Sequence, residues 1–222
     1  MDLTNFIRDT GTQILALSVG LFFYKRLNLF AKLLLLQVGI SLVNFGLAKV
    51  ISHYDGDSNN QITYSFYVLI ESLIVFFAAY VYEPRLRNRK FFGLGLFLIL
   101  ASYLIQFLIS GFHKLPIYAF LTSSIFISAI HLYVLYEVVT NKEDHAFAKA
   151  IIVLNLGVIV SFVCMAPYMA VFNYLNANDI KISIQLYNWV LLSCSNFRYL
   201  SYLIGFILFG VLSNRQNSVR TV

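Results

Sequence analysis

The sequence predicts an all-α polytopic membrane protein: one bundle of seven transmembrane helices spanning residues 1–222, with no soluble domain, the N-terminus outside and the C-terminus inside. Three observations predict it. Of 222 residues, 59% are hydrophobic and only 12% charged, against about 25% charged in soluble domains. The apolar residues fall into seven runs near the roughly 20 residues that cross a bilayer at 1.5 Å rise each. The basic residues collect between those runs, mostly on alternate sides, as topology signals do.

Taken in order, the spans are expected at residues 6–24, 28–52, 62–82, 91–112, 116–139, 150–172 and 189–212. The first is the least apolar, because a full crossing requires Arg8 and Asp9 to reach back toward a surface. No basic leader or small-residue cleavage pattern marks it for removal, so it is expected to stay. A turn carrying Asp55 and Asp57 separates the second from the third. The fourth and fifth are uninterrupted apolar runs bounded by Arg89, Lys90 and Lys114 and by Lys142. The sixth contains Pro167, whose missing N–H is expected to kink it. The seventh is apolar apart from a single charge, Arg198. The larger connections are expected at 54–61 and 173–188 on one side and at 83–90 and 140–149 on the other.

Lys and Arg accumulate on the cytoplasmic side, whereas Asp and Glu count for little. One side holds 11 basic residues, from Lys25, Arg26 and Lys32 through Arg85, Arg87, Arg89 and Lys90 to Lys142, Lys149, Arg215 and Arg220. The other holds 4, namely Arg8, Lys49, Lys114 and Lys181. The net charge of +6 therefore reads as membrane orientation, and no nucleic-acid partner is expected. The location implied is a cell (inner) membrane, crossed several times, with the lipid bilayer as the first partner.

Tyr24, Tyr54, Tyr80, Tyr82, Tyr118 and Trp189 lie near span ends, where amphipathic rings suit the headgroup level. Cys164 and Cys194 lie inside apolar runs and read as small packing residues. Gly93, Gly95, Gly205 and Gly210 allow close helix approach without forming a four-residue glycine motif. The last span has no Lys for a retinal Schiff base, and neither a Pro-Gln pair nor a Gly-x-Ser-Gly motif occurs. His53, His113 and His145 lie near different surfaces from His131 and cannot share a metal with it. Catalytic residues, cofactors and metals are therefore not expected, and the chain is not read as an enzyme.

Ionisable groups inside spans are expensive and are functional hypotheses by default. Glu71 lies nine residues into the third span and Arg198 nine into the seventh, both about 14 Å deep. Tyr64, Tyr67 and Glu71 share one helix face; Ser195, Arg198, Tyr199 and Tyr202 share another. Asn44, Gln106 and Asn196 lie at similar depth. An ion pair between Glu71 and Arg198 is expected. It can serve only to fix helix register, or it can line a ligand or ion site open to the outside; both readings remain open. Nearer the inner surface, Ser124, Ser128, His131, Glu137 and Asn155 form a second group. There His131 is either a hydrogen-bonded packing residue or a proton switch.

Asn59-Asn60-Gln61-Ile62-Thr63-Tyr64, followed by Tyr67-Val68-Leu69-Ile70-Glu71, resembles a segment of small seven-span membrane proteins of Bacteroidota, whose third helix carries Tyr-x-x-Ile-Glu. Length, helix count and an Asn-bearing last span are also similar, so the resemblance covers most of the chain. It implies a bacterial protein in which Tyr67 and Glu71 act together, and it supplies no activity. Functionally, the sequence is expected to encode a sensor or receptor-like protein that binds a small molecule and signals through a separate cytoplasmic or membrane partner. The alternative is a transporter or channel component for a small solute or proton, and a ligand-free assembly subunit is the third reading.

Overall fold

The computed structural model describes residues 3–55, 60–82, 89–111, 114–140 and 145–220. All regular structure among them is helical: α1 (Leu3–Phe22), a 3-10 turn (Tyr24–Arg26), α2 (Leu29–Asp55), α3 (Asn60–Tyr82), α4 (Arg89–Ser110), α5 (Ile117–Thr140), α6 (His145–Asn178), α7 (Ile180–Leu186), a π-helical turn (Tyr187–Leu191) and α8 (Leu192–Arg220). Among the described residues, six stretches are long and apolar enough to cross a membrane: Leu29–Ile51, Ile62–Tyr82, Phe92–Ser110, Ile117–Thr140, Phe147–Phe172 and Lys181–Ser213. The first expected span forms a helix of 20 residues, about 30 Å long. Arg8, Asp9, Thr10, Thr12 and Gln13 leave it less apolar than those six.

Local chemistry sets the helix ends. Asn28 caps α2, its Oδ1 accepting the Ala31 N–H at 2.9 Å, and this satisfies one of the four orphan donors of a helix start. Gly111 ends α4 in the left-handed region, at φ 71°, with its N–H on the Phe107 carbonyl at 2.9 Å. That conformation is cheap only for glycine.

The connection expected over 173–188 is instead helical. No Gly or Pro interrupts it, so α6 runs to Asn178. Asp179 then starts α7 by accepting the Ile182 N–H at 3.1 Å. α6 also continues unbroken through Pro167. Asp57, Arg85, Arg87, His113 and Lys142 lie outside the described residues.

Pairwise packing closes a ring in the order α1, α2, α3, α5, α6, α8 and back to α1. α4 sits outside this ring, against α5 and, more lightly, α3. Its Leu94, Phe97, Leu104, Ile105, Leu108 and Ile109 are exposed, as a lipid-facing surface requires. Lipid removes the hydrophobic drive for helix association, so close packing and small residues take over. The contact between α6 and α8 obeys this. A Cβ on Gly157 of α6 would lie 2.7 Å from Ser201 Cβ on α8, and one on Gly205 of α8 would lie 2.5 Å from Leu154 Cδ2 on α6.

Helix ends fall into two sets. The N-terminal end of α1, the C-terminal end of α2 and the starts of α3, α5 and α8 gather at one end of the ring. At the opposite end Arg26 Nη1 donates to the Gly210 carbonyl at 3.1 Å, and Phe147 stacks on Phe209 with centroids 5.1 Å apart.

Gly157→Ala is expected to lower thermal stability in detergent by about 1–3 kcal/mol through overpacking. Gly46→Ala, on an open face of α2, should be neutral or raise stability by up to about 1 kcal/mol through helix propensity.

Candidate functional site

Within the ring, at the end where α3 and α8 begin, lies a cavity of about 380 Å³. Every ring helix contributes to its walls, and among the described residues α4 contributes none. Asp9 and Tyr64 at its rim are half-buried, whereas Glu71 and Arg198 at its floor are only 5% and 4% exposed. The cavity thus narrows onto an ion pair.

The Glu71 and Arg198 faces meet across the ring. Arg198 Nη1 lies 2.6 Å from Glu71 Oε1. The same oxygen accepts from Gln37 Nε2 at 2.8 Å and from the Tyr67 hydroxyl at 3.0 Å. Gln37 also donates to the Tyr67 hydroxyl at 3.2 Å. On the cationic side, Arg198 Nη2 donates to the Tyr199 hydroxyl at 3.2 Å, which shares a 2.8 Å hydrogen bond with Ser41 Oγ. The guanidinium also lies over the Tyr199 ring, 5.0 Å from its centroid. A buried charge tolerates low dielectric only when paired and further hydrogen-bonded, and this shell answers that demand from three helices, α2, α3 and α8.

The shell is unevenly filled. All three donors converge on Glu71 Oε1, and no hydrogen bond among the described residues reaches Oε2. Arg198 Nε and Gln13 Oε1 are buried without a partner, although Gln13, Glu71 and Arg198 all line the cavity. Unmet polar atoms beside an open volume are what a ligand head or ordered water would satisfy.

The walls are two-sided. Helices α1, α2, α3 and α8 present Gln13, Ser41, Asn44, Tyr67, Ser195 and their charged neighbours; α6 presents Met165, Met169 and Phe172, with Phe120 from the first turn of α5 and Leu115 just before it. Six expected site residues therefore come together: Tyr64, Tyr67, Glu71, Arg198, Tyr199 and Asn44.

Two others do not. Asn196 faces α1, where its Oδ1 accepts from Thr12 Oγ1 at 2.7 Å. Gln106 caps the start of α5 from α4, its Oε1 accepting the Ala119 N–H at 2.9 Å. Both share the depth of the site but point from helix faces that look elsewhere, since depth alone does not set rotation about the helix axis.

Gln37, Ser41, Asp9 and Gln13 are additions. Gln37, Ser41 and Asn44 repeat at i, i+4 and i+7 on α2, and Asp9 and Gln13 at i and i+4 on α1. That shared-face spacing is the signal that finds them.

The second polar group lies outside the cavity. His131 is fully buried, with Nδ1 2.7 Å from Asn155 Oδ1 and Nε2 3.2 Å from the Val75 carbonyl. Asn155 Nδ2 donates to the Ile151 carbonyl at 2.8 Å, which fixes the amide with its oxygen toward the imidazole. These contacts tie α3, α5 and α6 together, as a packing histidine does. Ser124 bonds back to its own helix at the Phe120 carbonyl, 2.8 Å away.

No family model, curated protein or solved structure matches the chain.

Removing one partner of the ion pair should cost more than removing both. Arg198→Met is expected to destabilise by about 3–5 kcal/mol, since it strands the Glu71 carboxyl, and Glu71→Gln combined with Arg198→Met should recover much of that loss. Thermal unfolding of the two single variants and the double variant in one detergent checks this.

Proposed function

We propose that this chain is an integral membrane sensor or receptor-like protein of a bacterial cell (inner) membrane. In this reading all seven long helices cross, with the N-terminus outside and the C-terminus inside. The cavity opens outward, takes a small molecule, and transmits its occupancy to a separate cytoplasmic or membrane partner. The orientation rests on the 11 to 4 division of basic residues under the positive-inside rule.

One observation carries the sensor reading: the cavity ends at the ion pair. One to two turns farther in, Val75, Tyr202 and Phe206 are buried and belong to one core. Close-packed side chains leave few voids larger than water. A pocket with a closed floor favours binding over passage, so a sensor is preferred to a transporter or channel component.

The charged floor gives binding a route to the helices. A ligand that engages Glu71 or Arg198 competes with a bond joining α3 to α8. It shifts the protein only by the difference in its affinity for the two helix arrangements. A change in that bond bears on α8, which runs from the cavity wall to the opposite end of the ring, and that end is where a partner would read it.

Two measurements test this. A fluorescent protein fused after Val222 should fluoresce and an alkaline phosphatase fusion there should be inactive; the reverse pattern would overturn the orientation. A small-molecule screen by thermal shift on purified protein should yield a binder whose stabilisation falls at least about tenfold in apparent affinity in Tyr67→Phe or Glu71→Gln. Solute flux in proteoliposomes with no such binder would favour the transporter instead.

A further inference from the structure

The antiparallel helices α6 and α8 meet in a register that their close contacts fix. Leu154 meets Gly205 and Gly157 meets Ser201. Farther toward the cavity end, the Arg198 guanidinium lies over the Phe162 ring, 6.0 Å from its centroid. Cys164 lies seven residues beyond Gly157, and Cys194 seven residues before Ser201. Seven residues are close to two helical turns, so each cysteine shares the helix face that forms the seam. The two thiols therefore stand opposite one another, and they hydrogen-bond across the seam. Both are free thiols.

Their surroundings differ from those of two core residues. Cys164 is exposed and Cys194 half-buried. Val163, beside the first, and Phe197, one turn from the second, are exposed as well. Neither thiol lines the cavity, whereas Met165 and Ser195, next to them in sequence, do. The pair thus lies behind the cavity wall, on the outside of the ring. Both helices belong here to long apolar stretches, Phe147–Phe172 and Lys181–Ser213, so in a membrane that outside surface faces hydrocarbon. A reagent that reaches the thiols must be small and soluble in lipid, which keeps out charged peptides such as glutathione.

We propose that Cys164 and Cys194 form a redox site that a lipid-soluble quinone oxidises to a disulfide, stapling α6 to α8. Two S–H bonds break and one S–S bond forms. The two electrons and two protons released pass to the quinone, which becomes the quinol, so the reaction balances without a further reactant. The staple holds the cavity walls at Met165 and Ser195 at a fixed separation. It needs only that the two helices cross a membrane and does not depend on the cavity holding a ligand.

The test uses the full chain, reduced and purified in a nonionic detergent. The oxidant is duroquinone, which leaves no open ring carbon for a thiol to add to. After treatment the chain is unfolded in N-ethylmaleimide and weighed by mass spectrometry. The untreated chain is expected to gain two maleimides. The quinone-treated chain should gain none, weigh less by two hydrogen atoms, remain monomeric and yield one quinol per chain, and a phosphine reductant should restore both labels. Oxidised glutathione at equal concentration should act at least about tenfold more slowly. Oxidation should raise Tm of the native chain and leave that of Cys164→Ser unchanged. Combining Cys194→Ser with Ser193→Cys turns one thiol about 100° round the helix and should abolish closure, which separates facing thiols from two that merely share a micelle.

Two maleimides retained after quinone, disulfide-linked dimers in place of the monomer, closure in the shifted variant, or an equal rate with glutathione would each overturn the proposal. None of these results bears on the screen for a cavity ligand, so the two readings fail separately.

Discussion

The contact between Arg198 and Glu71 is the constraint on which the rest of this structure depends. Each charge alone in a bilayer interior costs on the order of 3 kcal/mol or more, so neither helix can adopt a rotation or depth that separates them. α3 and α8 are not neighbours in the ring: α3 packs on α2 and α5, and α8 on α6 and α1. The pair is therefore a crosspiece through the interior. It fixes the register of two helices that otherwise share little surface, and it obliges α2 to supply Gln37 and Ser41 to its shell.

The ring around that crosspiece is asymmetric along its axis. On one side of the pair aromatic and branched side chains close the interior; on the other the helices stand far enough apart to leave open volume. The difference follows from composition. The packed half draws on Phe30, Phe76, Phe206 and Phe209, all about 1% exposed or less, whereas the open half spends its positions on Ser41, Asn44, Gln13 and Ser195. Small and polar side chains cannot fill the space between helices as a phenyl ring does, and they leave polar atoms facing it.

Much of this was legible in the sequence, for identifiable reasons. Apolar run length located the spans to within a few residues in most cases, because hydrocarbon thickness is a hard requirement. Glu71 and Arg198 were legible as partners because each is the lone charge of an apolar run at the same depth. The helical segment from 180 to 191 was not, since a polar stretch without Gly or Pro supports either a loop or an exposed helix. The facing directions of Asn196 and Gln106 were hidden for another reason: a helix's rotation is decided by its neighbours. The peripheral place of α4 was likewise hidden, because lipid-facing and protein-facing apolar residues look alike in composition.

The closure of the ring has a consequence in time. A chain made from its N-terminus inserts α1, α2 and α3 early and α8 last, so the contact between α8 and α1 joins the oldest helix to the newest. Until α8 arrives, Glu71 has only Gln37 and Tyr67 beside it, both already synthesised. Arg198 reaches the membrane after 127 further residues. Completion of the ion pair, sealing of the ring and appearance of the cavity are then one event. A chain that ends before α8 lacks both the wall that α8 supplies between α6 and α1 and the cationic partner of Glu71.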